Sequence, residues 1–113
     1  MPKPPRARGT GEATSGRPWA VGFGTSAARD VRGYGLDDPR FRPTLRELVE
    51  ALKQNPLQFP TKRGKLKHAR AASLKFGGSS WRLVFAVSMT EHRVRILSVG
   101  PHDTAYDRAK RRI

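Results

Sequence analysis

Between residues 69 and 99 the chain holds three short strand-like runs separated by two compact turns. Residues 69–76 form the first run, Gly77-Gly-Ser-Ser80 a turn, and residues 81–87 the second run. Met89-Thr-Glu-His92 turns the chain again, and residues 93–99 form the third run. Connections this short join only antiparallel neighbours, because a parallel pair needs a crossover of a dozen residues or more. The segment is therefore expected to be a meander of three strands, and the rest of the chain must cover it.

Side-chain alternation assigns the faces. Trp81, Leu83, Phe85 and Val87 share one side of the second run; Arg82, Val84 and Ala86 share the other. In the first run Leu74 and Phe76 belong with the large apolar set, while Ser73 and Lys75 point the opposite way. The large set is expected to pack on helices. The other side is floored by small residues and carries Lys75 and Arg82, an expected groove for a phosphate chain.

Upstream, Trp19, Val21 and Phe23 alternate as a half-buried strand. Thr25 or Ser26 is placed to cap a short helix through Tyr34, with Ala27, Ala28 and Val31 on one side. Leu45, Leu48, Val49 and Leu52 form a helical stripe, and Thr44 with Glu47 has capping-box spacing. Phe59 to His68 reads as a polar, basic loop. After Gly100-Pro101, residues 103–113 read as a basic helix capped by Asp103. The order is β-α-α-β-β-β-α: an α+β fold with a mostly antiparallel sheet, two helices on one face and a short C-terminal helix. Residues 1–18 hold Pro2, Pro4, Pro5, Pro18 and four cations without apolar periodicity, so a disordered basic tail is expected ahead of a single domain, 19–113.

Charge narrows the partner. The chain has 23 Lys+Arg against 9 Asp+Glu, a formal net charge of +14. An excess of this size points to a polyanion. No acidic residue occurs between Glu50 and Glu91, a stretch that carries Lys53, Lys62, Arg63, Lys65, Lys67, Arg70, Lys75 and Arg82. Lys62, Arg63, Lys65, Lys67 and Arg70 are therefore the candidate RNA-binding cations. There is no cysteine, which excludes disulfides, thiolate nucleophiles and thiolate-bound zinc. His68, His92 and His102 lack the spacing of a helical metal site, so neither metal nor cofactor is expected. No run approaches the ~20 apolar residues of a membrane span. The expected location is the cytoplasm, with no membrane partner.

The stretch Lys75-Phe-Gly-Gly-Ser-Ser-Trp81-Arg82-Leu-Val-Phe-Ala-Val, followed by Val94-Arg-Ile-Leu-Ser-Val-Gly100-Pro-His102-Asp-Thr-Ala-Tyr106, resembles the C-terminal half of RelE/ParE-family toxins. The resemblance extends from about Trp19 onward. It implies the toxin of a type II toxin–antitoxin pair, held by an acidic antitoxin. In the RelE branch the toxin cleaves mRNA in the ribosomal A site, where contacts with 16S rRNA are also expected. In the ParE branch it inhibits DNA gyrase without nuclease chemistry. A basic nucleic-acid-binding module without toxicity would carry the same charge.

The matching positions supply the candidate catalytic set. Arg82 matches the motif arginine that meets the phosphate, and Lys75 one of the family's active-site lysines. His102 falls where relatives place Arg or His, and Tyr106 matches the family tyrosine, in a segment about two residues shorter than in RelE. Ser73 stands where RelE often has a second basic residue. Metal-free RNA cleavage needs a base, an acid for the leaving oxygen and cations on the developing phosphorane. The four residues Arg82, His102, Tyr106 and Lys75 are of the right types.

Overall fold

The computed structural model describes residues 17–61 and 68–112, and of residue 102 the backbone alone. Strand β1 (Ala20–Phe23) leads into helices α1 (Thr25–Gly33) and α2 (Arg42–Gln54). A 3-10 turn over Pro56–Gln58 precedes strands β2 (Ala69–Phe76), β3 (Ser79–Ser88) and β4 (Arg93–Pro101), and helix α3 (His102–Arg112) closes the order. The α+β fold class holds. The four strands lie in the order β1-β4-β3-β2. β2, β3 and β4 form the antiparallel meander, while β1 joins β4 in parallel.

Local chemistry explains the hairpin between β2 and β3. Phe76 pairs with Ser79, so only Gly77 and Gly78 turn the chain. Their φ values are 56° and 86°. Positive φ at both central residues is the type I′ geometry whose twist matches that of the flanking strands, and glycine adopts it without a Cβ penalty.

The main core lies between the sheet and the first two helices. Ala27, Leu36, Leu48 and Leu52 meet Trp19, Leu74, Phe76, Leu83, Phe85, Val94, Ile96 and Val99, all buried. The alternation of β3 holds as read: Leu83 and Phe85 are at zero exposure there, and Trp81 packs against the same cluster. Burial of one such side chain contributes roughly 1.5–3 kcal/mol.

The other face departs from expectation. It is not an open groove along its length: Ala105 and Ala109 of α3 lie buried against Ala69, Ala71, Val84 and Leu97. Small residues floor this face because a helix lies close on it. A bulge in the β3–β4 ladder assists. Val84 pairs with Ser98 and Phe85 with Ile96, leaving Leu97 as the extra residue. Leu97 thereby joins the α3 cluster, and Ser98 Oγ donates 2.7 Å to the Ala105 carbonyl.

Three helix starts are also revised. Asp103, expected to cap the last helix, lies inside the first turn of α3, which begins at His102. Gly24 occupies the N-cap of α1, with no side-chain cap bond from Thr25 or Ser26. Helix α2 begins at Arg42, so Thr44 lies inside its first turn rather than capping it. Pro43 suits that turn, where an absent N–H leaves nothing unsatisfied.

Candidate nucleic-acid interface

One register row organises the candidate site. Ser73 of β2, Arg82 of β3 and Gly100 of β4 stand side by side across the sheet. Residues directly opposite in antiparallel strands project to the same side. Lys75 lies two residues beyond Ser73, hence on that same face, opposite Ser80. Lys75 is exposed and Arg82 half-buried.

Among the described residues, no carboxylate pairs with Arg82. Its hydrogen bond there is from Nη1 to the carbonyl of its neighbour Trp81, at 3.2 Å. Neither Asp103 nor Asp107, the carboxylates nearest in the sequence after β4, neutralises it. Among the described residues this half-buried guanidinium meets only a carbonyl, which leaves most of its donors for an anion.

Helix α3 brings the other two candidates to this end of the sheet. Pro101 pairs with Trp81, so residue 102 begins α3 immediately beyond the row of Arg82. The side chain of His102 lies outside the described residues. Tyr106 follows one turn later, half-buried and packed against the small-residue cluster under α3. The backbone thus gathers Lys75, Arg82 and the first turn of α3 at one end of one face.

Arg70 is placed elsewhere. It belongs to the opposite parity of β2, and its Nη1 donates to the Phe59 carbonyl at 2.6 Å and the Leu57 carbonyl at 3.3 Å. It braces the segment after α2 and does not share the face of Lys75 and Arg82. Lys62, Arg63, Lys65 and Lys67 lie outside the described residues. The chain on either side of them is fixed at the start of β2, since Thr61 bridges Arg70 and His68 leads directly into the strand.

What holds α3 down was not foreseen. Asp30 of α1 is buried at 5% exposure. Its carboxylate accepts the Val99 backbone N–H at 3.1 Å, on the edge of β4 that β1 leaves uncovered. It also accepts Arg108 Nη1 at 2.6 Å and Arg112 Nη1 at 2.8 Å, both from α3. Burial alone would raise the carboxyl pKa. The Arg112 and Val99 hydrogen bonds, with the charges of Arg112 and Arg108, outweigh it and bring Asp30 below its ordinary value. Arg112 Nη1 further donates to the Leu97 carbonyl at 2.8 Å. The sequence did carry a signal: Asp30 lies three residues after buried Ala27, and Arg108 and Arg112 have i, i+4 spacing on one helix face.

Trp19 and His92 form a structural pair. Trp19 is buried, and His92 stacks on it with ring centroids 3.9 Å apart. His92 adopts a φ of 55°, and its Nε2 lies 3.1 Å from the Arg17 carbonyl. Among the described residues no set of His, Asp and Glu is arranged to hold a metal. No helix there is long and apolar enough to cross a membrane.

A four-stranded sheet between two helices and a third, with a cationic row at one end, makes a small α+β domain. RelE toxins are among its structural neighbours. The RelBE2 toxin–antitoxin complex of Mycobacterium tuberculosis matches at 25% identity and a TM-score of 0.59, over 74% of this chain and 98% of that one. An arginine-to-alanine double mutant of E. coli RelE in complex with a peptide of the antitoxin RelB matches at 25% identity, with a TM-score of 0.55, over 84% and 97%. The same mutant in the free state matches at 24% identity and a TM-score of 0.63, over 85% and 98%. No protein-family model matches the chain, and no curated protein matches it. By fold, the chain groups with the RelE-family toxins.

Proposed function

We propose that this chain is the toxin of a type II toxin–antitoxin pair and that it represses growth by cutting mRNA on the ribosome. The single observation that carries the nuclease reading is the half-buried Arg82, without a carboxylate among the described residues, beside Lys75 and the start of α3. In this reading the ribose 2′-hydroxyl gives up its proton and its oxygen attacks the adjacent phosphate. The bond to the 5′-oxygen of the next nucleotide breaks, that oxygen takes up a proton, and a 2′,3′-cyclic phosphate end remains. Arg82 forks two phosphate oxygens and Lys75 adds a second positive charge as the phosphorane forms. His102 moves a proton, and Tyr106 stacks on a base or assists proton transfer. Lys62, Arg63, Lys65 and Lys67 add contacts to the RNA backbone, including ribosomal RNA. The proposed setting is the cytoplasm, without metal or cofactor.

The solved complexes with RelB antitoxins support an antitoxin partner for this chain also. With a net charge of +14 to cover, that partner is expected to be acidic and to order on binding.

The test is cleavage of mRNA on programmed ribosomes by purified protein, with 5′ ends mapped. Arg82→Ala is expected to cut roughly 10²–10³ times more slowly, the usual cost of losing one group that stabilises transition-state charge. Equal cleavage by wild type and variant would overturn the assignment of Arg82. One observation favours a second reading: Ser73, an uncharged residue, stands directly opposite Arg82 where RelE often has a cation. A ParE-like inhibitor of DNA gyrase would spare ribosome-bound mRNA and abolish supercoiling by gyrase.

A further inference from the structure

Tyr34 follows the last turn of α1 and takes no part in the chemistry above. Its ring is held on three sides. Trp81 meets it edge-on with centroids 4.9 Å apart at 84°. The Arg108 guanidinium carbon lies 5.5 Å from its centroid, while the same side chain is bound to Asp30. Gly100 supplies the third side: a Cβ added there would come within 3.3 Å of both Cε2 and the hydroxyl oxygen of Tyr34.

This contact fixes the side of the sheet that the hydroxyl reaches. Gly100 stands opposite Arg82, so a side chain at position 100 would project to the face of Arg82. Tyr34 occupies that space instead. It gets there around the edge of β4, because β1 pairs only with residues 93–96 and leaves the later part of the strand free. The ring touches Trp81 on the helix-packed side, and the hydroxyl arrives on the cationic side. Among the described residues the hydroxyl has no hydrogen-bond partner, whereas every ring contact would be served equally by phenylalanine.

We propose that the Tyr34 hydroxyl is a substrate contact, donating a hydrogen bond to a non-bridging oxygen of the RNA phosphate held by Arg82. The proposal rests on the RNA reading of the cationic face and adds to it a residue from the far side of the sheet. A phenol both donates and accepts, and beside a guanidinium-bound phosphate its donor has an anionic acceptor, the stronger kind of hydrogen bond. The glycine at 100 follows from the same arrangement, since any larger residue would take the place of the phenol.

The test uses the full chain and Tyr34→Phe, which keeps the ring and removes the oxygen. Binding is measured by anisotropy to a 2′-O-methyl RNA oligonucleotide, which lacks the attacking hydroxyl and cannot be cut. Cleavage is measured in parallel on programmed ribosomes. Tyr34→Phe is expected to melt as wild type does and to bind roughly tenfold more weakly, the scale of a lost hydrogen bond to a charged group. In an Arg82→Ala background the same change is expected to matter less, because both groups hold one phosphate. Unaltered oligonucleotide affinity, or an equal loss in both backgrounds, overturns the contact. A wild-type chain that binds the oligonucleotide but cuts no mRNA overturns the nuclease reading and leaves Tyr34 to be decided by the binding arm. A wild-type chain that binds no RNA overturns both.

Discussion

The Nη1 of Arg112 lies 2.8 Å from the Asp30 carboxylate, joining the first helix to the last. Arg108 reaches the other carboxylate oxygen at 2.6 Å, and the Val99 N–H completes the set. Both guanidiniums are partly exposed, at 31% and 23%, while the Asp30 side chain is at 4%. The cluster holds α3 over the small-residue face and, through Arg108, holds the ring of Tyr34.

Asp30→Asn removes the negative charge and leaves two arginines facing a neutral amide. Breaking a buried pair by deleting one partner costs about 3–5 kcal/mol, and the partial exposure of the arginines places this case at the low end, near 3 kcal/mol. Urea unfolding followed by circular dichroism is expected to show the midpoint falling with little change in slope. A shift below about 0.5 kcal/mol, the range of ordinary surface changes, would mean that the cluster adds nothing.

The same carboxylate sets an acid limit. Its folded pKa lies below the ordinary 3.8, so the folded state favours the ionised form. The resulting stability is fully present above the unfolded value and is lost as pH falls toward and through the folded one. Wild-type stability is therefore expected to decline below about pH 4–5, and Asp30→Asn to decline less steeply over that interval. Urea midpoints at pH 6, 5, 4 and 3 give the comparison, and parallel curves for the two proteins would contradict it.

Gly78→Ala tests the turn between β2 and β3. The backbone there has a φ of 86°, and nothing lies within 4 Å of an added Cβ, so the cost is conformational rather than steric. It is expected to be about 1–2 kcal/mol. Thermal unfolding reads this directly, and an unchanged melting temperature would show that the turn accepts the residue.

Lys75→Ala and Arg82→Ala test the cationic row by its salt dependence. If each side chain meets one phosphate of a single strand, each substitution lowers the magnitude of the log–log salt slope of RNA binding by about 0.7. Arg70→Ala, whose guanidinium is occupied by the Phe59 and Leu57 carbonyls, is expected to lower stability and leave that slope unchanged. A drop in slope for Arg70→Ala would place it in the interface after all.

The strands and the two turns were legible because period-two alternation and a Gly-Gly pair leave few alternatives. The faces of Trp81, Leu83 and Phe85 followed from parity alone. The charge of Arg70 reads as an RNA contact, whereas its parity in β2, two residues before Ala72 and four before Leu74, puts it on the helix-packed side, where its guanidinium meets the Phe59 and Leu57 carbonyls. The seat of α3 was not legible, because its buried contacts are Ala105 and Ala109, which carry too little apolar surface to mark a face against four cations. Tyr34 and Asp30 were hidden for another reason. Their roles arise where β1 stops short of the end of β4, and the length over which two strands pair is not written in either one.

The bonds from Asp30 to Arg108 and Arg112 span 78 and 82 residues. Contacts so distant along the chain close the largest loops and bear the greatest entropic delay. They are expected to form in the final docking of α3, after the meander, and so to govern how long the native state persists more than how quickly it is reached. Loosening this latch would shorten the native lifetime while refolding ran at nearly its usual pace.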